Sequence, residues 1–98
     1  MFIVLLRYVK PIEVVESLVQ EHRDYLDRHY AAGHFVASGS QVPRVGGAIL
    51  VQGLSRPELD AVLAEDPFHR EQVAQYEVVE FDATKVASGF ETLLARAR

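Results

Sequence analysis

The chain has 98 residues, is 49% hydrophobic and carries a formal net charge of −4, values that fit one small acidic domain spanning residues 1–98. The acidic balance and the single, unclustered arginines argue against a nucleic acid partner. Cysteine is absent from the sequence, which excludes disulfides, thiolate catalysis and cysteine-ligated metal sites.

Short apolar runs and the helical spacing of apolar residues predict the secondary structure. In chain order, the first half contains a strand at 2–9, a helix at 12–32, a strand at 34–41 interrupted at 38–40, and a strand at 47–52. The second half contains a helix at 56–66, a strand at 76–82 and a helix at 87–96. Gly33 is suited to end the first helix, and a capping box of Ser55 and Glu58 to begin the second. Pro67 ends the second helix, with a short extra turn through Arg70.

The predicted order is β-α-β-β-α-β with a helical tail, which is the ferredoxin-like α+β pattern: an antiparallel sheet with both helices on one face. Residues 1–82 are expected to form this core, and residues 83–98 a C-terminal helical extension. Apolar residues follow each other along residues 2–6, so both faces of the first strand are apolar. We therefore expect the sheet face away from the helices to pack against a second copy, giving a homodimer.

The N-terminal apolar run is too short for a membrane span or a signal peptide, and no basic segment precedes it. A soluble cytoplasmic protein without a membrane partner is the expectation.

Two ionisable residues, His22 and Asp66, occupy positions where helical periodicity calls for apolar side chains. His22 falls in the middle of the apolar stripe of the first helix, and Asp66 is the next position on the inner stripe of the second. A buried carboxylate is costly without a partner, and the two helices of this fold lie side by side. We therefore predict a pair in which Asp66 fixes the ring tautomer and His22 acts as general acid or base.

Each residue also has a structural interpretation. For His22 it is a core histidine whose ring bonds to backbone or to a tyrosine. For Asp66 it is a turn before Pro67, in which the carboxylate bonds local amides. The residues alone leave both interpretations open.

Two further residues are candidates for substrate contact. Arg7, inside an apolar strand, is expected either to pair with a strand glutamate such as Glu80 or to hold an anionic substrate in a cleft. Ser38 precedes Gly39, a residue that lets a ligand approach the backbone closely, and is expected to line a pocket. The histidines lack the spacing of metal ligands, so neither a metal nor another cofactor is expected.

Three segments resemble one known family in their order and spacing. They are residues 21–26 around His22, residues 33–39, and Asp66-Pro67-Phe68. The family is that of the YCII-related domain (YciI-like proteins), and the resemblance covers residues 1–82. It implies a ferredoxin-like domain that dimerises through its sheets into a dimeric α/β barrel. It also implies that His22 and Asp66, which match the family's histidine and aspartate, form the active site.

The family is similar to muconolactone isomerase-like proteins, and some relatives act as chloromuconolactone dehalogenases. The resemblance therefore implies an enzyme that acts on a small organic acid or lactone through the His22–Asp66 pair. The alternative is a non-catalytic dimeric module that binds small molecules and in which the pair is structural. Access from solvent to His22 distinguishes the two, because a catalytic ring must open into a pocket.

Overall fold

The computed structural model describes residues 1–94, which form a four-stranded sheet, three helices and a 3₁₀ turn. The strands are β1 (Phe2–Tyr8), β2 (Phe35–Ser40), β3 (Gly46–Val51) and β4 (Ala74–Glu80). The helices are α1 (Ile12–Ala31), α2 (Arg56–Ala64) and α3 (Pro67–Arg70), and the 3₁₀ turn is Glu91–Leu93. Within these 94 residues, no helix is long and apolar enough to cross a bilayer.

The sheet has the strand order β2-β3-β1-β4, and every neighbouring pair is antiparallel. β1 occupies a central position, where Val4 lies opposite Ile49 of β3 and Val78 of β4. A central position explains why the sequence of β1 is apolar on both faces. This topology confirms the predicted ferredoxin-like α+β fold.

The hydrophobic core lies between the helices and one face of the sheet. Phe2, Val4 and Leu6 of β1 point toward the helices and are almost fully buried. They share one buried cluster with Val15 of α1 and Leu59 of α2. Full burial of one such side chain contributes on the order of 1.5–3 kcal/mol. This apolar contact therefore holds α1 and α2 on the same face of the sheet.

Tyr25 fixes the position of α1 relative to α2. Its fully buried phenol donates a hydrogen bond of 3.0 Å to the carbonyl oxygen of Val62. Burial raises the pKa of Tyr25, so the hydroxyl keeps its proton and remains a donor. Because Tyr25 lies three residues after His22, the same contact holds the His22 face of α1 toward the end of α2.

The other face of the sheet, called the outer face below, carries Ile3, Leu5, Leu50 and Val79 and is not covered by the helices. Ile3 lies opposite Leu50 on one side and Val79 on the other. Val79 is 44% exposed, and the other three are half-buried. The outer face is thus apolar in its centre, and a dimer through it remains a prediction.

The C-terminal helix predicted at 87–96 is absent from its described part. Gly89 has a φ of +93°, a left-handed conformation that breaks an α-helix, and the only helical turn that follows it up to residue 94 is Glu91–Leu93. Residues 95–96 of that prediction lie outside the described residues. Phe90, which with Leu93 and Leu94 forms the apolar pattern that predicts the helix, is 54% exposed.

Strand β2 also differs from its prediction. The expected interruption at residues 38–40 is absent, because β2 runs on to Ser40 with Gly39 paired to Ala48 of β3. The irregularity lies earlier, between Phe35 and Ala37, where the register shifts. From Ala37 onward, alternate residues of β2 face opposite sides of the sheet.

Gly46 is the point at which β3 leaves no room for a side chain. A Cβ at this position would overlap the carbonyl oxygen of Leu6 on β1. We expect Gly46→Ala to lower the free energy of unfolding by at least about 2 kcal/mol, because the strands must separate. Urea denaturation measures this change. Gly39→Ala is the control, since a Cβ there meets nothing within 4 Å, and equal losses in both variants would contradict the prediction.

Candidate active site

Asp66 lies between two helices rather than within one. α2 starts at the predicted capping box of Ser55 and Glu58 and ends at Ala64. The expectation that Asp66 belongs to the inner stripe of that helix is therefore wrong. Asp66 is instead the N-cap of α3, and its Oδ1 accepts a hydrogen bond of 3.0 Å from the backbone N–H of Phe68. The local-capping interpretation of this residue is thus correct, and its side chain is nevertheless fully buried.

The same carboxylate oxygen also reaches α1. Oδ1 of Asp66 lies 2.8 Å from Nδ1 of His22, so capping and pairing occur together. A carboxylate accepts hydrogen bonds, so the neutral ring carries its proton on Nδ1. This tautomer leaves Nε2 as the nitrogen that is able to accept a proton.

Phe68 fixes the plane of the His22 ring. The two rings stack with centroids 4.0 Å apart and planes 6° apart. The backbone of Phe68 bonds Asp66 while its side chain supports His22, so one residue orients both members of the pair. The edge of the Tyr8 ring contacts Phe68 from β1, with centroids 6.0 Å apart, and supports this arrangement.

Tyr76 is a member of the site that the sequence did not reveal. It lies on β4 opposite Leu6, on the helix side of the sheet, and its hydroxyl donates a hydrogen bond of 2.6 Å to Oδ2 of Asp66. Burial, the charge of Asp66 and this bond raise the pKa of Tyr76, which therefore stays protonated. Alternation along β4 places Tyr76 on the inner face, but the sequence carries no signal for its partner.

A cavity of about 260 Å³ opens between α1 and the strands β2 and β3. His22 and Phe68 line one side of it, and Ser38 lies on the opposite wall. The His22 side chain is 15% exposed, whereas Asp66 behind it is inaccessible. The ring is thus held by a buried carboxylate and reached from the cavity, which is the geometry that a general acid or base requires.

Ser38 faces the cavity because it is opposite Ile49 of β3, a core residue on the inner face. Its hydroxyl lies 2.7 Å from the hydroxyl of Tyr30 on α1. The structure therefore brings three of the four predicted site residues, His22, Asp66 and Ser38, to one place.

Arg7 is the predicted site residue that lies elsewhere. It is on the outer-face side of β1, where its guanidinium donates a hydrogen bond of 2.8 Å to Oε1 of Gln75. The suggested pairing with Glu80 is wrong, because Glu80 lies opposite Phe2 at the other end of β1. Arg7 does not line the cavity of His22.

A second histidine–carboxylate contact lies at the end of α1. Nε2 of His29 is 3.2 Å from Oε1 of Glu65, and the His29 ring is buried against Tyr25. Glu65 is about half exposed, so this contact is more open to water than that of His22. Within residues 1–94, no three histidine, aspartate or glutamate side chains form a group that could hold a metal ion.

The protein is therefore a ferredoxin-like α+β domain in which a buried carboxylate lies behind a cavity-lining histidine. The chain belongs to the YCII-related domain family, whose model matches residues 1–82. A search of curated proteins gave no match.

Among solved structures, the chain is similar to the 5-chloro-2-hydroxyhydroquinone dehydrochlorinase TftG of Burkholderia phenoliruptrix AC1100, in complex with 2,5-dihydroxybenzoquinone. The two chains are 17% identical, the similarity covers 85% of this chain and 95% of that chain, and the TM-score is 0.70. At this level of identity, the likeness shows a shared fold.

The contact between His22 and Asp66 predicts the tautomer of the neutral ring. We expect the proton on Nδ1, as ¹⁵N NMR of the His22 side chain measures directly. In Asp66→Ala the acceptor is removed and the preference for Nδ1–H is lost. Asp66→Asn keeps an acceptor oxygen of the same shape and serves as the milder variant, in which Nδ1–H persists. A proton on Nε2 in the unsubstituted protein would contradict the assignment.

Proposed function

We propose that this protein is a metal-independent enzyme that moves a proton on a small organic acid or lactone, with His22 as the acid/base and Asp66 as the group that orients it. The observation that carries the proposal is the ring of His22, bound through Nδ1 to a buried carboxylate and accessible from a cavity of about 260 Å³. A pocket of this size, below the roughly 300–1,000 Å³ of drug-sized sites, suits a small substrate.

In the proposed reaction, Nε2 of His22 takes a proton from a carbon next to a carbonyl group of the substrate. The electrons of the broken C–H bond move into an enolate, and the ring becomes an imidazolium that the Asp66 carboxylate stabilises. Return of the proton to a different carbon completes an isomerisation. Departure of a halide with its bonding electrons completes an elimination instead. Ser38, on the opposite wall, is proposed to contact the substrate.

Family membership supports an activity of this kind. The structural neighbour TftG is named a dehydrochlorinase and was solved with a small ring compound, 2,5-dihydroxybenzoquinone. Dehydrochlorination couples removal of a proton to loss of chloride, which is the elimination branch of the reaction proposed here.

A non-catalytic binding or accessory module is the second candidate. Asp66 caps α3 and accepts a hydrogen bond from Tyr76, and neither contact requires a substrate. These structural roles favour the second candidate. In that case the cavity binds a small molecule and His22 transfers no proton.

Hydrogen–deuterium exchange distinguishes the two candidates. In D₂O, the enzyme is expected to exchange the carbon-bound protons next to the carbonyl of muconolactone, or to release chloride from 5-chloro-2-hydroxyhydroquinone. ¹H NMR and a chloride electrode measure these outcomes. We expect His22→Ala to slow the reaction by about 10²–10⁴-fold, the range of general acid–base catalysis. His34→Gln, at a histidine that does not line the cavity, is the control.

A reaction that proceeds equally well in His22→Ala would overturn the catalytic proposal. Absence of exchange and of chloride release with both compounds, together with retained binding of either, would favour the accessory module.

We also propose that two copies associate through the outer face. Ile3, Leu5 and Leu50 form its half-buried apolar centre, and Val79 beside them is exposed. Covering this surface with the same surface of a second copy removes apolar area from water and leaves the cavity of each copy on the opposite side of its sheet.

Leu5→Asp tests the dimer. A charge at the centre of the outer face is costly to bury, so we expect this variant to shift the mass measured by light scattering from two chains to one. Glu77→Gln, directly opposite Leu5 on β4, alters the same face without adding a charge and is the control. A single-chain mass for the unsubstituted protein at high concentration would contradict the proposal.

A further inference from the structure

We propose that the cavity of His22 binds its ligand as an organic anion, with the side chains of Arg23 and Arg44 holding the carboxylate group. This inference deepens the proposed function and rests on it for the chemical step, because it selects the anionic substrate over a neutral lactone. It also assigns anion binding to two residues other than Arg7, which lies away from the cavity.

The charged side chains of the cavity wall are the main support for this inference. Arg23 of α1 and Arg44 of the turn between β2 and β3 both line it, and none of its described lining residues is an aspartate or glutamate. Two carboxylates lie close to the wall without lining it. Asp66 is inaccessible and already bound by three donors, and Glu16 pairs with Arg44 on its exposed side. Although the protein has a net charge of −4, the charged side chains that line the cavity are cationic, which favours an anion and disfavours a cation.

Arg23 is the more available of the two cations. Within residues 1–94 it forms no ion pair, although this chain pairs other exposed arginines with carboxylates. It directly follows His22 in α1, so a group bound to Arg23 lies beside the ring that the proposed reaction uses. A planar guanidinium fits a carboxylate through two parallel hydrogen bonds.

Arg44 is presented from a turn that hydrogen bonds fix on both sides. The N–H of Gln41 donates to Gly46, and the N–H of Tyr8 donates to Val45, each over 2.9 Å. Nη1 of Arg44 lies 2.7 Å from Oε1 of Glu16, and both side chains of this ion pair are substantially exposed. An ion pair in water is weak, so the guanidinium remains available to a ligand in the cavity.

The uncharged residues of the wall indicate the chemistry of the rest of the ligand. Leu26, Ile49 and Phe68 supply apolar surface, while the hydroxyls of Ser38 and Ser40 lie on the strand side. The ligand class that fits is a small carboxylate with an apolar body, whose acidic group lies near the arginines and whose reacting carbon lies near His22.

Benzoate and benzamide test the inference, because they share shape and differ in charge. Isothermal titration calorimetry at low salt, with the ring resonances of His22 as a positional check, measures binding of each compound. We expect benzoate to bind at least about tenfold more tightly than benzamide, from charge-assisted hydrogen bonds. Arg23→Gln combined with Arg44→Gln should weaken benzoate binding by at least about tenfold and leave benzamide binding unchanged.

Arg56→Gln is the matched control, since Arg56 is an exposed arginine of α2 that pairs with Asp60 and does not line the cavity. It should change benzoate affinity by less than about twofold. Equal affinity for benzoate and benzamide, no binding of either, or unchanged benzoate affinity in the double variant would each overturn the inference.

The enzyme proposal and the anion-site inference are distinguished by different results. His22→Ala should retain benzoate binding by calorimetry, because the arginines remain. If benzoate binds through the arginines but no substrate exchanges protons, the anion site stands and the enzyme proposal falls. If muconolactone exchanges at the same rate in the arginine double variant and benzoate does not bind, the enzyme proposal stands and the anion site falls.

Discussion

Burial of the Asp66 carboxylate is the constraint on which the site depends. Transfer of a carboxylate out of water costs several kcal/mol, so it is tolerated only where donors replace the lost water. Here the donors come from three different elements: the His22 ring of α1, the backbone of Phe68 in α3 and the hydroxyl of Tyr76 on β4. The position of α1 relative to the sheet is consequently defined by the same bonds that orient the ring. Packing of apolar side chains alone would not specify that orientation, because apolar contact is non-directional.

The two faces of the sheet also differ in the side chains that they carry. Alternation along each strand sends Ser38 and Tyr76 to the helix side and Ile3 and Leu50 to the outer face. The cavity and the apolar outer face thus occupy opposite sides of a single sheet. Most of the cavity wall comes from α1, β2 and β3, with additions from β1, α3 and the turn at Arg44, so its polarity depends on where α1 lies over the sheet.

Periodicity in the sequence was sufficient for the order of the strands and the two main helices, since burial patterns of two and 3.6 residues follow directly from local geometry. It failed at residues 87–94, the described part of the predicted C-terminal helix, where Phe90 and its neighbours have helical spacing but Gly89 takes a left-handed conformation. The periodicity correctly singled out Asp66 as an inward-facing ionisable residue, but it placed the residue on the stripe of the second helix, which is wrong. The chain leaves the helix at Ala64, and an N-cap rather than a helical stripe turns the carboxylate inward.

The contributions of Tyr76, Arg23 and Arg44 depend on distances between elements, which a one-dimensional pattern does not contain. Arg7 attracted notice because it interrupts an apolar strand, whereas the cavity arginines sit among polar neighbours where a solvated residue is expected. Which arginine reaches the cavity is decided by the gap between α1 and the edge of the sheet.

Asp66 both stabilises the fold and holds His22, and this combination affects which residues related sequences would retain. Since the residue caps α3 and accepts from Tyr76, a descendant that had lost its substrate would still be under selection to keep it for folding alone. Asp66, and His22 as its hydrogen-bond partner, would be retained after the proposed catalytic activity was lost. The side chain of Arg23 has no hydrogen bond or ion pair within the described chain, so it is among the first positions that relaxed selection would randomise. If the proposed function holds, an arginine lost beside an intact histidine–aspartate pair is the expected mark of an inactive descendant.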